Sequence, residues 1–341
     1  MARRRSTDTK PASIKDVAAL AGVSVPTVSR YLNDRGVSDE KRTRIARAID
    51  MLGYRPNPIA QALVNERTSM IAVMCADITL FGQAQTYKGI EQRAHGGGYS
   101  PDVFVLGGRD VAHEVRSCLD RNPAGLILMN FDPECADVLD LVPHDLPTAV
   151  IAGNRDERFA QISLAEDDGG YRITRHLLEL GHRSVQYIGI PGGVGSYSRM
   201  AGWQRACREA GIVAPDPIAC TWRPQDARAI GRRLADDPAV TAVFAGNDET
   251  AMGVIRGLRD GGRRVPDDVS VVGFDDHPLA SIWDPAITTI RQDFHRAGAA
   301  AFDAVTGIIA DLGEGRVDSR TQLVEVPGEL VIRQSSGPAA R

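Results

Sequence analysis

Arg199, the pair Asn247-Asp248 and the pair Asp275-Asp276 are the residues of this 341-residue chain whose types and positions could act together on a small molecule. Each pair follows a short apolar run, Ala242 to Gly246 and Ser270 to Phe274, of the kind that forms a buried strand. Groups just beyond the carboxyl ends of parallel strands project into a common crevice. Arg199 opens a predicted helix behind the turn Gly192-Gly193-Val194-Gly195-Ser196 and points the same way. A guanidinium, carboxylates and an amide converging on one cleft suit vicinal hydroxyls, and they suit holding a molecule more than converting it. Signals for catalysis are missing. The glycine-rich turn lacks the Gly-Lys-Ser/Thr ending of a phosphate loop, and the chain has no Gly-x-Ser-x-Gly elbow, Cys-x-x-Cys or His-Glu-x-x-His zinc motif. His182, just after Gly181, reads as a partner for a helix C-terminus and not as a base. The expectation is a binding protein, with no enzyme activity, metal or cofactor.

Alternating strands and helices must position these groups. Strands are predicted at Met70–Met74, Val103–Leu106, Gly125–Met129 and Thr148–Ala152, with helices at Tyr87–His95 and Val111–Leu119. The second half repeats the pattern: helix Tyr171–Leu180 ended by Gly181, strand Ser184–Ile190, helices Arg199–Ala210 and Ala227–Leu234, strand Ala242–Ala245, helix Glu249–Arg259 and strand Ser270–Phe274. Such alternation implies an α/β body of parallel sheets covered by helices on both faces. Two such units facing each other would enclose a ligand cleft. At 43% hydrophobic residues the chain can fill large cores, and its length exceeds one compact core. No run of about 18 apolar residues exists, and no apolar stretch follows the basic Arg3-Arg4-Arg5, so neither export nor membrane insertion is expected. Cys75, Cys118, Cys135, Cys207 and Cys220 are odd in number and scattered, which points to a reducing cytoplasm.

The first 67 residues differ in character. They hold 13 Lys and Arg against 7 Asp and Glu, a net of +6; the whole chain is at −4, which leaves −10 for the rest. A basic module on an acidic body is expected where only that module meets phosphate. Ser13 and Asp16 have the spacing of a capping box for a helix from about Ile14. Gly22 sits where the chain must turn, Val23 can plug the angle, and Ser24 is placed to cap a second helix to about Leu32, with Pro26 tolerated in its first turn. A third helix from about Ser38 to Leu52, ended by Gly53, would bring Ile45, Ile49 and Leu52 against Val17, Leu20 and Val28. This is helix-turn-helix spacing.

Ile14 through Ser24, Thr27-Val28-Ser29-Arg30-Tyr31-Leu32-Asn33 and Gly53-Tyr54-Arg55-Pro56-Asn57 resemble the DNA-binding signature of the lactose/galactose repressor family. The resemblance continues in Val269 through Asp276, in Thr289 through Gln292 and in Glu329 through Arg333. It implies a helix-turn-helix head over 1–57, a hinge helix and linker over 58–67, and a two-lobed, periplasmic-binding-protein-like body. One lobe would comprise 68–165 plus 292–327, the other 166–291 plus 328–335, with a tail over 336–341.

The resemblance also implies site residues. In the head, Ser24, Val25, Pro26, Thr27, Ser29, Arg30, Asn33 and Tyr54 would face DNA, with Arg30 able to bridge guanine O6 and N7. Val25 and Pro26 depart from the polar pairs common there and can offer only apolar contact. Asn57 would cap the hinge segment holding Ala60, Gln61 and Leu63, a stretch too short to be a stable free helix. Two such segments, one per subunit, would meet in the minor groove with Leu63 wedged into a base step. In the body, Arg199, Asn247 and Asp275 would touch the effector, Phe81 and Trp222, placed on loops, would stack on it, and Gln292 and Phe294 would line the floor. Ala152 stands where many relatives have an acidic residue, so Asn154 would supply that hydroxyl partner or none would. The expectation is a ligand-responsive transcriptional regulator, most simply a repressor, binding double-stranded operator DNA as a homodimer. A sugar or small glycoside is the first choice of effector and a nucleoside or purine the second; a solute-binding protein without DNA function is the rival reading. The short polar tail after Arg333 has no leucine heptad, so no tetramer is expected.

Overall fold

The computed structural model describes residues 12–32, 36–54, 68–107, 110–152, 156–192, 195–315 and 322–339. The chain divides into two compact units, Met1–Thr68 and Ser69–Arg341.

The first unit holds α1 (Ile14–Ala21), α2 (Val25–Leu32) and α3 (Asp39–Leu52). Ser13 caps α1 through a capping box: its Oγ accepts from the Asp16 N–H at 3.4 Å, and the Asp16 carboxylate accepts from the Ser13 N–H at 2.8 Å. Gly22 and Gly53 end α1 and α3 at φ 63° and 56°, left-handed values that a Cβ would strain. Val17, Ala18, Ala21, Val28, Ile45 and Ala48 form the core. Leu20 was expected in it and is 48% exposed, while Ala18 is 4% exposed. The buried stripe of α1 follows 14, 17, 18 and 21, and Leu20 falls on its flank. Ser13→Ala removes one half of the capping box and is expected to cost about 1 kcal/mol. Hydrogen exchange of the full chain should then speed up about fivefold across 14–21 and stay unchanged in the body.

The second unit is built on two parallel sheets. The larger has the order β11-β5-β4-β3-β1-β2, with β1 (Met70–Cys75), β2 (Ser100–Val105), β3 (Gly125–Met129), β4 (Thr148–Ile151), β5 (Ala160–Ser163) and β11 (Leu323–Glu325). Side chains alternate across it: Ile71, Val73 and Cys75 pack on one face with α4 (Phe81–Ala94) and α10 (Phe294–Gly313), and Ala72 and Met74 pack on the other with α5 (Val111–Leu119). A strand covered on both faces has no reason to alternate apolar with polar, which is why β1 and β3 read as continuous apolar runs. The second sheet has the order β7-β6-β8-β9, with β6 (Gln186–Gly189), β7 (Ile218–Ala219), β8 (Ala242–Ala245) and β9 (Ser270–Val272). Helices α6 (Glu166–Glu179) and α7 (Arg199–Glu209) cover one face, α8 (Pro224–Leu234) and α9 (Asp248–Asp260) the other. An antiparallel pair, β10 (Thr289–Arg291) with β12 (Glu329–Val331), completes the unit.

Two helices depart from expectation with consequences for the site. Helix α4 begins at Phe81 and not at Tyr87, so Phe81 is helical and not on a loop. Helix α6 begins at Glu166, ahead of the expected Tyr171. Gly169 and Gly170 do not interrupt it; they permit close packing, since a Cβ on Gly170 would run into the Arg199 carbonyl and one on Gly202 into the Asp167 carbonyl. His182 serves the end of α6 through its backbone, its N–H donating to the Leu177 carbonyl at 3.4 Å, while its side chain has a second role. Its ring nitrogens meet Thr241 Oγ1 at 3.0 Å, Ser270 Oγ at 3.0 Å and the Gly337 carbonyl at 3.1 Å, which pins the C-terminal segment to the second sheet.

Candidate functional site

In the head, Pro26 and Arg30 are exposed, lie four apart on α2, and share the face opposite the buried Val28. The Ser24 and Thr27 hydroxyls are 2.8 Å apart at the start of that helix. Ser29 is half-buried, and Val25 and Tyr54 pack against the head core, which leaves both only partly available. Arg44 holds the turn by donating to the Gly22 carbonyl at 3.2 Å. Asn33, Asn57, Ala60, Gln61 and Leu63 lie outside the described residues, as does Asn154 of the body.

In the body a cavity of about 740 Å³, open solvent at its mouth included, lies between the carboxyl ends of the two sheets. Phe81, Gln83, Asn130, Phe131, Ala152 and Phe294 line it from the larger sheet's side, and Glu166, Tyr197, Arg199, Trp222, Asn247, Glu249 and Asp275 from the other.

Arg199 is its centre. Only 5% exposed, it reaches Glu166 Oε1 through Nε at 3.1 Å and Nη2 at 2.7 Å, Asp275 Oδ1 through Nη2 at 2.9 Å, and the Gly246 carbonyl through Nη1. Its guanidinium lies 4.1 Å from the centroid of the Phe274 ring. Ser198 caps α7 by accepting from the Ala201 N–H, which sets Arg199 at the first turn. Asn247 caps α9 in the same way, accepting from the Thr250 N–H at 2.9 Å while its Nδ2 donates to Glu249 Oε2 at 2.9 Å. Asp275 follows β9 at φ 99°. Burial, against the pull of Arg199, pushes its carboxyl from 3.8 up to about 6. A carboxyl raised on folding contributes stability at low pH that is lost as pH rises through about 6. Asp275→Asn should therefore flatten the fall in Tm over that interval, as read from melts of the full chain.

Asp248 and Asp276, expected at the cleft beside their neighbours, turn away from it. Asp248 is buried and accepts from the His277 N–H at 2.7 Å, with its carboxyl pushed well up by burial. Asp276 pairs with Arg291 at 2.7 Å and Arg333 at 2.6 Å, binding the C-terminal segment. Phe294 lines the cavity, while the buried Gln292 is not among its lining residues. Trp222 does line it, and its Nε1 donates across the cleft to Asp132 Oδ1 at 3.1 Å. Gln83 Nε2 holds the other oxygen of Asp132 at 2.6 Å. Phe81 meets His277 across the same opening with ring centroids 4.6 Å apart. Glu166, Glu249 and Gln83 were missed from sequence. For Glu166 a signal existed: it continues the helix N-terminally in an acidic first turn.

A helix-turn-helix unit and an α/β body with a cavity between its two sheets invite comparison with known proteins. Residues 13–57 match the family model described as bacterial regulatory proteins, lacI family, and residues 174–336 match the periplasmic binding protein-like domain. The HTH-type transcriptional regulator DegA of Bacillus subtilis is 31% identical, over 96% of this chain and 98% of its own length. The chain belongs to the LacI family. It is a DNA-binding transcriptional regulator and not an enzyme. The HTH-type transcriptional repressor PurR of Photobacterium profundum is 32% identical to this LacI-family chain, over 95% of it and 98% of the relative. The lac repressor dimer bound to operator and the anti-inducer ONPF superimposes with a TM-score of 0.81 at 28% identity, covering 96% of this chain and all of that one. The CelR–cellobiose complex gives 0.68 at 25%, covering 95% and 99%. Among the described residues of this regulator no helix is long and apolar enough to cross a membrane.

Proposed function

We propose that this regulator binds a pseudo-palindromic operator as a homodimer in the cytoplasm, most simply as a repressor, and that a sugar or small glycoside enters the cleft between its lobes. The head would span 1–57 and the hinge and linker 58–67; the lobes would be 68–165 with 292–327 and 166–291 with 328–335, followed by the tail 336–341. The observation that carries the effector reading is Arg199 held between Glu166 and Asp275 beside Asn247, a fixed set of donors and acceptors in a cavity that also presents aromatic faces. That the CelR structure holds cellobiose supports a sugar here. The half-buried Trp222 ring favours a second reading, a nucleoside or purine stacked on it. Ligand binding would change the angle between lobes and so the spacing of the two heads on DNA.

A screen of sugars and nucleosides by thermal shift on the full chain tests the effector, because a ligand of the folded state raises Tm with saturation. The expected hit is a sugar that also changes affinity for operator DNA; a compound that stabilises the chain yet leaves DNA binding untouched would count against the regulatory role. Leu63→Ala tests the hinge. It should weaken binding to the intact two-fold operator at least tenfold and leave random duplex binding nearly unchanged; equal losses on both would contradict the wedge role.

A further inference from the structure

The cleft carries a charge imbalance. Among the described lining residues three carboxylates, Glu166, Glu249 and Asp275, face one cation, Arg199. That cation is already engaged: Nε and Nη2 are on Glu166, Nη2 is also on Asp275, Nη1 is on the Gly246 carbonyl, and the ring of Phe274 covers one face. A guanidinium has five N–H donors and no acceptor, so little of this one remains for an incoming anion.

Unused capacity lies instead with acceptors. Asp275 Oδ1 is taken up by Arg199 Nη2 at 2.9 Å. Gln83 is 2% exposed; its Nε2 is fixed on Asp132, which leaves its Oε1 buried without a hydrogen-bond partner. Asp275 and Gln83 line opposite walls of the one cavity. Glu166 meets Arg199 through a single oxygen, and Glu249 meets Asn247 through a single oxygen. The second oxygen of each carboxylate can accept from a ligand donor. An anionic group would bring further acceptors and a like charge into a poorly screened site.

We propose that the effector carries no anionic group: the cleft selects an uncharged or amine-bearing, donor-rich compound against its phosphorylated or carboxylate counterpart. The proposal rests on reading the cleft as the effector site. Within it, an amine would lie between Asp275 and Glu249, and hydroxyls would meet the second carboxylate oxygens of Glu166 and Glu249. Burial already raises the Asp275 carboxyl, and a ligand cation beside it would draw the value back down.

The test uses the full chain and matched sets: glucose, glucosamine and glucose 6-phosphate; galactose, galactosamine and galactose 6-phosphate; ribose and ribose 5-phosphate; adenosine and its 5′-phosphate; guanosine and its 5′-phosphate. Thermal shift ranks them and calorimetry measures Kd. For each neutral or amine member that binds, the phosphate is expected to bind at least tenfold more weakly, and Glu249→Gln is expected to recover at least threefold for the phosphate. A phosphate that binds as tightly as its parent overturns the proposal and leaves a sugar effector standing. Binding by nucleosides and not their phosphates, with no sugar bound, does the reverse. Silence across the whole panel overturns both.

Discussion

Arg199→Ala is expected to remove effector binding and to lower the stability of the body by about 3 to 5 kcal/mol, the cost of breaking a buried ion pair by deleting one partner. The loss follows from the clamp. Without the guanidinium, Glu166 would be left a part-buried charge, its side chain 18% exposed, and Asp275, 12% exposed and already raised to about 6 by burial, would rise further and take up a proton. At about 2 to 4 °C per kcal/mol for a unit of this size, Tm should fall by roughly 10 °C. Arg199→Lys keeps the charge but cannot serve Glu166, Asp275 and the Gly246 carbonyl together, so it should fall between the two. Melting the full-length variants measures this, and a normal melt for Arg199→Ala would mean that the clamp is neither stabilising nor central to the cleft.

The second large effect concerns self-association. Leu279, Ile282 and Trp283 are exposed on the 3₁₀ turn Pro278–Ser281 and just beyond it, with Ile282 at 77%. Ile282 and Trp283 line a surface groove with Ile255, rimmed by Arg256, Arg259 and Asp284. Exposed apolar side chains clustered in this way mark an interaction site, and for a regulator whose heads act in pairs the fitting occupant is a second copy. Ile282→Asp is therefore expected to yield a monomer at micromolar concentration. One head alone loses the tethering of the other, so operator affinity should drop about 10²- to 10⁴-fold while random duplex binding changes little. Light scattering and DNA titration measure the two effects. Val213→Asp serves as control, since Val213 is 92% exposed and lies outside the cluster. A dimer that survives Ile282→Asp would remove this face from consideration.

Legibility from sequence followed the range of the interactions. The Ser13–Asp16 box, the Gly22 turn and the Gly53 stop are contacts within a few residues, and each was readable from residue type and spacing. The buried strands β1, β3 and β8 were readable because full burial leaves an unbroken apolar run. Strands β5 and β11 lack an unbroken apolar run, because Gln161, Ser163 and Glu325 interrupt them and β11 is partly exposed, and they pair only because the chain returns to that edge after α10.

By itself the amino-acid order determined the helix-turn-helix, the parallel α/β body, and the placing of Arg199, Asn247 and Asp275 at strand or helix ends. Those features depend on local propensity, capping and hydrophobic period, which are properties of neighbouring residues. Tertiary structure alone decided which member of each pair, Asn247-Asp248 and Asp275-Asp276, faces the cleft. Adjacent side chains leave a strand end in different directions, so Asp275 meets Arg199 while Asp276 meets Arg291 and Arg333. It also brought Glu166 onto Arg199 through a close helix crossing at Gly170 and Gly202, and Gln83 to the opposite wall. The charge of the cleft is a sum over residues distant in sequence, and only folding places them within reach of one ligand.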